Sequence, residues 1–262
     1  MRPTVVLVAV VVASLFVMGA APAPLDLMKQ SDARHRVKGE RTKVTLSLQE
    51  KGGPERVRSL IMATQQDPAL KDGDKQWIRF EAPGDVKGTQ LLTLEGKDGA
   101  VEQWLYLPAF KKTRRIGSAE LGDRFANTDF SYEDLKRRRV EDYAYTLGAA
   151  AESVDGAECW VIDAVPSSEK AKKESPYGKS QLWLRKDNLF VVKMRHFDKT
   201  GRPLKELKAE GLVKVQGNAW RADKLTMIDV QRNHRTVVTV NAREVLAALP
   251  PTTFDPHTLS ER

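Results

Sequence analysis

Residues 106–135 read Tyr106-Leu-Pro-Ala-Phe-Lys-Lys-Thr-Arg-Arg-Ile-Gly-Ser-Ala-Glu-Leu-Gly-Asp-Arg-Phe-Ala-Asn-Thr-Asp-Phe-Ser-Tyr-Glu-Asp-Leu135. Aromatics, arginines and carboxylates alternate here with neither histidine nor cysteine. The mixture suits a built surface or lid better than a catalytic centre. It also breaks a pattern that holds on both sides of it. Upstream, Val44, Leu46 and Leu48 alternate with Lys43, Thr45 and Ser47, the period of a half-buried strand.

The same alternation marks strands over 56–64, 76–81, 89–95, 101–107, 143–150, 158–165, 179–186, 189–197, 204–215, 220–232 and 236–243. Gly52-Gly53-Pro54, Asp72-Gly73-Asp74, Asp98-Gly99, Asp155-Gly156, Lys186-Asp187-Asn188, Thr200-Gly201 and Gly217-Asn218 punctuate them as turns. Short spacings without long intervening helices argue for antiparallel meander pairing. The expected class is mainly β (α+β): one curved antiparallel sheet of about eleven strands forming an unclosed barrel. An amphipathic N-terminal helix is expected over Leu25–Arg36. A short helical lid is expected from the capping pattern Ser131-Tyr132-Glu133-Asp134-Leu135, and the Lys/Glu/Ser-rich 167–177 reads as an exposed loop.

The N-terminus bounds the compartment. Arg2, the apolar run Val5–Val17 and the small residues Gly19, Ala20, Ala21 and Ala23 have the layout of a signal peptide ending near residue 23. An uncleaved membrane anchor is the alternative. A single domain over 24–262 is expected to follow. Cys159 is the one cysteine, so no internal disulfide contributes to stability. The net charge of +8 favours anionic lipid headgroups or an acidic protein patch, and an exported chain excludes nucleic acid as partner.

The chemistry-bearing residues are sparse. His35, His196, His234 and His257 fall at no metal-ligand spacing, and the phosphate-cradling, dinucleotide and nucleophile-elbow motifs are missing. Asp123, Asp129 and Asp134 sit among arginines that would keep them ionised, which disfavours paired-carboxylate hydrolysis. The expectation is a binding protein, not an enzyme, with no cofactor and no metal. Cavity candidates are the apolar strand residues Ile78, Phe80, Leu92, Leu94, Trp104, Tyr106, Leu182, Leu184, Phe190, Val192 and Met194. A curved sheet with an apolar concave face would shelter an acyl chain there. Arg114 and Arg115 are expected to pair with the lid's own acids, and Lys136-Arg137-Arg138-Arg139 to form a solvated or partner-facing basic patch.

Tyr106-Leu107-Pro108, Arg114-Arg115-Ile116, Gly122-Asp123, Phe125 and Thr128-Asp129-Phe130-Ser131-Tyr132-Glu133-Asp134-Leu135 resemble the signature of outer-membrane lipoprotein-sorting proteins of the LolA-like superfamily. The likeness continues through Trp183-Leu184 and the strand Trp220–Val230. It implies a periplasmic carrier of lipid or lipoprotein acyl chains in a Gram-negative bacterium, with an inner-membrane exporter and an outer-membrane acceptor as partners. It allows as an alternative a non-catalytic accessory or sensor subunit of a lipid exporter of the RND/MMPL type. Family-motif and lid positions carried over are Pro108, Arg114, Arg115, Gly122, Asp123, Phe125, Asp129, Phe130, Tyr132 and Asp134.

Overall fold

The computed structural model describes residues 22–66, 73–96 and 99–261. The leader-like segment, and the Asp72 and Asp98 parts of two expected turns, lie outside these. Fourteen antiparallel strands form one sheet. They are β1 (Gly39–Glu50), β2 (Arg56–Gln65), β3 (Lys75–Ala82), β4 (Gln90–Glu95), β5 (Val101–Leu107), β6 (Lys112–Arg115) and β7 (Tyr143–Leu147). The second half is β8 (Glu152–Val154), β9 (Ala157–Pro166), β10 (Lys179–Arg185), β11 (Val191–Phe197), β12 (Pro203–Gln216), β13 (Ala219–Asp229) and β14 (His234–Leu246).

Two meanders meet where β1 pairs β14, giving the order β6-β5-β4-β3-β2-β1-β14-β13-β12-β11-β10-β9-β7, with β8 on β9. β6 and β7 are thus the two edges of an unclosed barrel, and residues 116–142 run from one edge to the other. The central stretch is the chain's own closure of the open side. It is not the expected helix: it contains only one-turn 3-10 pieces at Ser118–Glu120, Phe125–Asn127 and Val140–Asp142. The expected count of about eleven strands falls short because β6 is fully exposed and β8 is three residues long, so neither shows alternation.

Two α-helices complete the described elements. α1 (Pro24–Arg34) starts on a proline, carries Asp26 in its first turn and Arg34 in its last, and so complements its dipole. It buries Leu27 and Met28 against Ile162, Leu182 and Leu184, which stabilises by about 1.5–3 kcal/mol per side chain. Ser31 Oγ donates to the Leu189 carbonyl at 2.7 Å and His35 Nε2 bonds the same oxygen at 3.0 Å, fixing the helix end. Because the Trp220 amide donates to Nδ1 of His35 at 3.2 Å, Nε2 carries the proton, and burial holds the ring's pKa down. The Lys/Glu-rich loop expected at 167–177 contains a helix, α2 (Glu169–Glu174), capped by Ser168 accepting from the Ala171 amide.

The sheet is apolar on both faces, and each face has its own cover. On the concave side Leu48, Leu60, Phe80, Leu91 and Leu105 pack under Phe125 and Tyr132 of the central stretch. On the convex side Leu249, Phe254 and Leu259, from the tail after β14, cover Trp77, Leu92 and Tyr106. Trp77 Nε1 donates to Gln90 Oε1 at 2.8 Å, and Gln90 Nε2 donates to the Leu259 carbonyl at 2.7 Å, so the buried amide is satisfied. A smaller convex cluster joins Cys159, Val161, Trp183 and Val192, and burial pushes the Cys159 thiol up.

Candidate functional site

The concave face holds two adjoining cavities, of about 380 Å³ and about 530 Å³. Met62, Leu225 and Val238 line both. The first adds Leu46, Leu60 and Ile78 beneath Phe125 and Phe130 of the lid. The second adds Val44, Leu207 and Val240, and reaches Phe190 and Met194 beside α1. These positions come from alternate residues of β1, β2, β3, β12, β13 and β14, so the sheet's pleat points them inward.

The eleven cavity candidates divide between the two faces of the sheet. Ile78, Phe190 and Met194 line the cavities, and Phe80 lies in the concave core under the lid. Leu182 and Leu184 are also concave, but α1 covers them. Leu92, Leu94, Trp104 and Tyr106 are on the convex face beneath the C-terminal tail, and Val192 is in the other convex cluster. These five face away from the cavity because β3 to β5 are sandwiched and β10 and β11 carry a second apolar face. The cavity residues of β1, β2, β12, β13 and β14 were the ones missed. Their only signal is the alternation Leu60-Met62 and Val238-Val240, which does not tell concave from convex.

The lid is held by a dense set of bonds. Ala126 and Asn127 adopt left-handed backbone at φ 48 and 58, a conformation costly for residues with a side chain. The surroundings overdetermine it. Arg58 donates to the Ala126 carbonyl, and Arg124 donates to the Asn127 and Thr128 carbonyls at 2.6 and 2.7 Å. Asp129, fully buried, accepts from Thr236 Oγ1 at 2.6 Å and bonds His234 Nδ1 at 2.6 Å, tying the lid to β14. Among the described residues no nucleophile meets the free Nε2 of that histidine, which is buried without a hydrogen-bond partner. Gly122 passes close to the chain at Pro176, where an added Cβ would lie 3.2 Å from the proline Cβ.

Of the lid acids, Asp123, Asp129, Glu133 and Asp134 do not pair with Arg114 or Arg115, whereas Glu120 does. Arg114 meets Glu120 at 2.7 Å and Arg115 meets Glu102 at 2.7 Å, while Asp123 is exposed. Pro108 begins the one-turn segment Pro108–Phe110 between β5 and β6. Asp134 is the centre of a buried cluster. It accepts from Tyr177 OH at 2.6 Å, from the Ser131 amide and hydroxyl at 2.8 Å, and from Lys205 Nζ at 3.1 Å. Burial alone would raise its pKa, but Lys205 and these donors outweigh it and hold the carboxyl below its ordinary value.

The basic run 136–139 is not a solvated patch. Lys136 pairs with Glu133 at 2.7 Å, and Arg137 reaches Asp32 at 2.6 Å, Glu95 at 3.3 Å and Asp74 at 3.4 Å. Burial raises Asp74 and Glu95 in spite of that arginine. Arg137 lines both cavities at the α1 end. Glu40 is held between Arg221 at 2.7 Å and Arg243 at 2.8 Å, lining the larger one.

His196 stacks on Tyr177 at 4.2 Å, and burial pushes its pKa down to about 3. The folded protein therefore refuses a proton that the unfolded chain accepts near pH 6.5. Stability should fall by about 1.4 kcal/mol per pH unit as pH drops from about 6.5 toward 3 on this account. The lowered Asp134 acts in the same direction below its ordinary value, whereas the raised Asp74 and Glu95 oppose it from above theirs. Urea titrations of His196→Gln across pH 4–7.5 should give a flatter profile than the wild type, and parallel profiles would refute the assignment.

Among the described residues no group of three or more His, Cys, Asp or Glu is placed to hold a metal, and no helix is long and apolar enough to cross a membrane. A domain from Vibrio parahaemolyticus assigned as an outer membrane lipoprotein-sorting protein is similar at 26% identity and TM-score 0.83, over 90% of this chain and 98% of that one. A DUF1329 family protein from Desulfovibrio piger ATCC 29098 is similar at 26% identity and TM-score 0.82, over 90% and 97%. A LolA superfamily protein from Nitrosomonas europaea shares the fold at 17% identity and TM-score 0.69, over 90% and 98%. No curated protein matches the chain. A family model described as "-like: Uncharacterized protein" matches residues 72–261, well over half of the sequence. The chain therefore belongs to that family, and its fold is that of the LolA-like, outer-membrane lipoprotein-sorting proteins.

Proposed function

We propose that the protein is a periplasmic carrier that shelters lipid or lipoprotein acyl chains in the concave-face cavity and hands them on toward the outer membrane. The observation that carries this is the pair of adjoining, mostly apolar cavities roofed by a segment joining the two sheet edges. An acyl chain gains about 0.8 kcal/mol per buried methylene, so such a cavity binds without precise polar contacts. A lid made of short turns, not of a packed helix, can leave its seat without unfolding the sheet. The leader-like N-terminus and a single domain over 24–262 fit export, and the protein acts by binding, not catalysis. An inner-membrane exporter would supply the cargo. Lipid extraction and mass spectrometry of protein purified from its own periplasm should yield bound acyl lipid. A lipid-free protein that also fails to bind a fluorescent fatty acid would overturn the reading.

Contact with a membrane has a candidate surface. Phe110 is 68% exposed at the β5–β6 hairpin, next to the exposed Lys111 and Lys112. An apolar tip flanked by cations suits an anionic bilayer, where each cation contributes about 1 kcal/mol. Phe110→Ser should weaken flotation with phosphatidylglycerol vesicles severalfold, and unchanged flotation would remove this hairpin from the exchange step.

A further inference from the structure

Beside the main cavities, a third space of about 240 Å³ opens under the lid. It shares Phe130 and Arg137 with the first cavity, and Met194 and Leu207 with the second, so the three adjoin. Its character differs from theirs. Lys136, Arg137 and Arg138 all line it, with Glu133, Asp134, Tyr143 and His196. Most of these charges are internally matched. Glu133 answers Lys136 at 2.7 Å, Asp134 answers Lys205 at 3.1 Å, and Arg137 meets Asp32, Asp74 and Glu95.

Arg138 is different. It donates from one terminal nitrogen to Ser180 Oγ at 3.1 Å, and its guanidinium lies 4.7 Å from the Tyr143 ring centroid. No carboxylate among the described residues pairs with it, and its other terminal nitrogen is buried without a hydrogen-bond partner. The neighbouring His196 is neutral and supplies no charge. A half-buried guanidinium stacked on one ring and lacking a counterion leaves a desolvated donor unmet. Its planar fork matches the oxygens of a carboxylate or a phosphate.

We infer that Arg138 is the headgroup-binding residue for an anionic amphiphile, whose acyl chain runs from this pocket over Met194 and Leu207 into the concave cavity. This rests on the carrier reading and narrows it: the ligand carries a carboxylate or phosphate at the end of its apolar chain. The acid's head accepts from Arg138, while the chain takes the apolar lining that a neutral lipid would also use.

Binding of palmitic acid, hexadecanol and dipalmitoyl phosphatidic acid to the delipidated protein, measured by displacement of a fluorescent fatty alcohol at pH 7.5, separates the possibilities. The wild type should bind at least one of the two anionic ligands about tenfold or more tighter than the alcohol. Whichever of palmitate and phosphatidate shows the preference identifies carboxylate or phosphate as the head. Arg138→Gln should collapse that preference to near unity and leave the alcohol unchanged, and Arg138→Lys should restore part of it. Equal wild-type affinity for acid and alcohol overturns the inference while leaving the carrier reading intact, and needs no variant to fold. Failure of all three ligands to bind overturns both.

Discussion

Lys205→Met should lower the unfolding free energy by about 3–5 kcal/mol, the largest loss expected of any single polar substitution in this chain. Lys205 and Asp134 are each only 6% exposed at the side chain, and their bond is 3.1 Å. Lys205 Nζ also bonds Tyr177 OH at 3.2 Å, so removal strips two partners from one buried cluster. The remaining carboxylate keeps the Ser131 and Tyr177 donors but loses its one cation within bonding distance among the described residues. Its pKa would then rise above the unfolded value. The loss should therefore be greatest at neutral pH and shrink as the pH falls through the raised value. The double variant Lys205→Met, Asp134→Leu should lose less than Lys205→Met alone at pH 7, because no charge is left buried. Urea unfolding of the three proteins decides it. A cost under about 1 kcal/mol for Lys205→Met would mean that water reaches the carboxylate and that the cluster is not a closed core.

The same cluster explains what could not be read from sequence. Ser131-Tyr-Glu-Asp134 has the spacing of a helix start, and its bonds form: the Ser131 amide donates to Asp134 and the Asp134 amide meets Ser131 Oγ at 3.3 Å. No helix follows, since Asp134 is drawn inward by Lys205 of β12 and by Tyr177 of the loop before β10, both far along the chain. Arg137 looked solvated for a related reason. Its partners Asp32 and Glu95 lie 105 and 42 residues away, a separation at which sequence pattern carries no information. Strands were legible wherever one face met solvent or a turn residue closed the hairpin, as at β5, where 101–107 is both expected and observed. The concave face was not legible on β3 to β5. Ile78 and Leu92 look alike in sequence, yet one meets the cavity and the other the C-terminal tail. That tail, 247–261, carries Leu249, Phe254 and Leu259 five residues apart, a spacing that is neither the helical nor the strand period, so its role as a cover had no signal.

Met62→Trp should reduce acyl-chain affinity by a little over a hundredfold while the protein remains folded. Met62 is half-buried on β2 and lines both main cavities, so a larger side chain there grows into space instead of into packed neighbours. Overpacking a filled core costs about 1–3 kcal/mol, and a void lowers that cost. The bound chain would meet the indole where it now meets empty volume. Losing the burial of about four methylenes costs about 3 kcal/mol in binding, which is the hundredfold stated. Leu94→Ala is the matched control, since Leu94 packs on the convex face against the tail. It should lower the unfolding free energy and leave the dissociation constant alone, the reverse of Met62→Trp. Isothermal titration with a long-chain fatty acid, alongside urea unfolding of both variants, separates the two faces directly. If Leu94→Ala weakened binding and Met62→Trp did not, the ligand would occupy the space beneath the tail and the concave cavity would be only an imperfectly filled core.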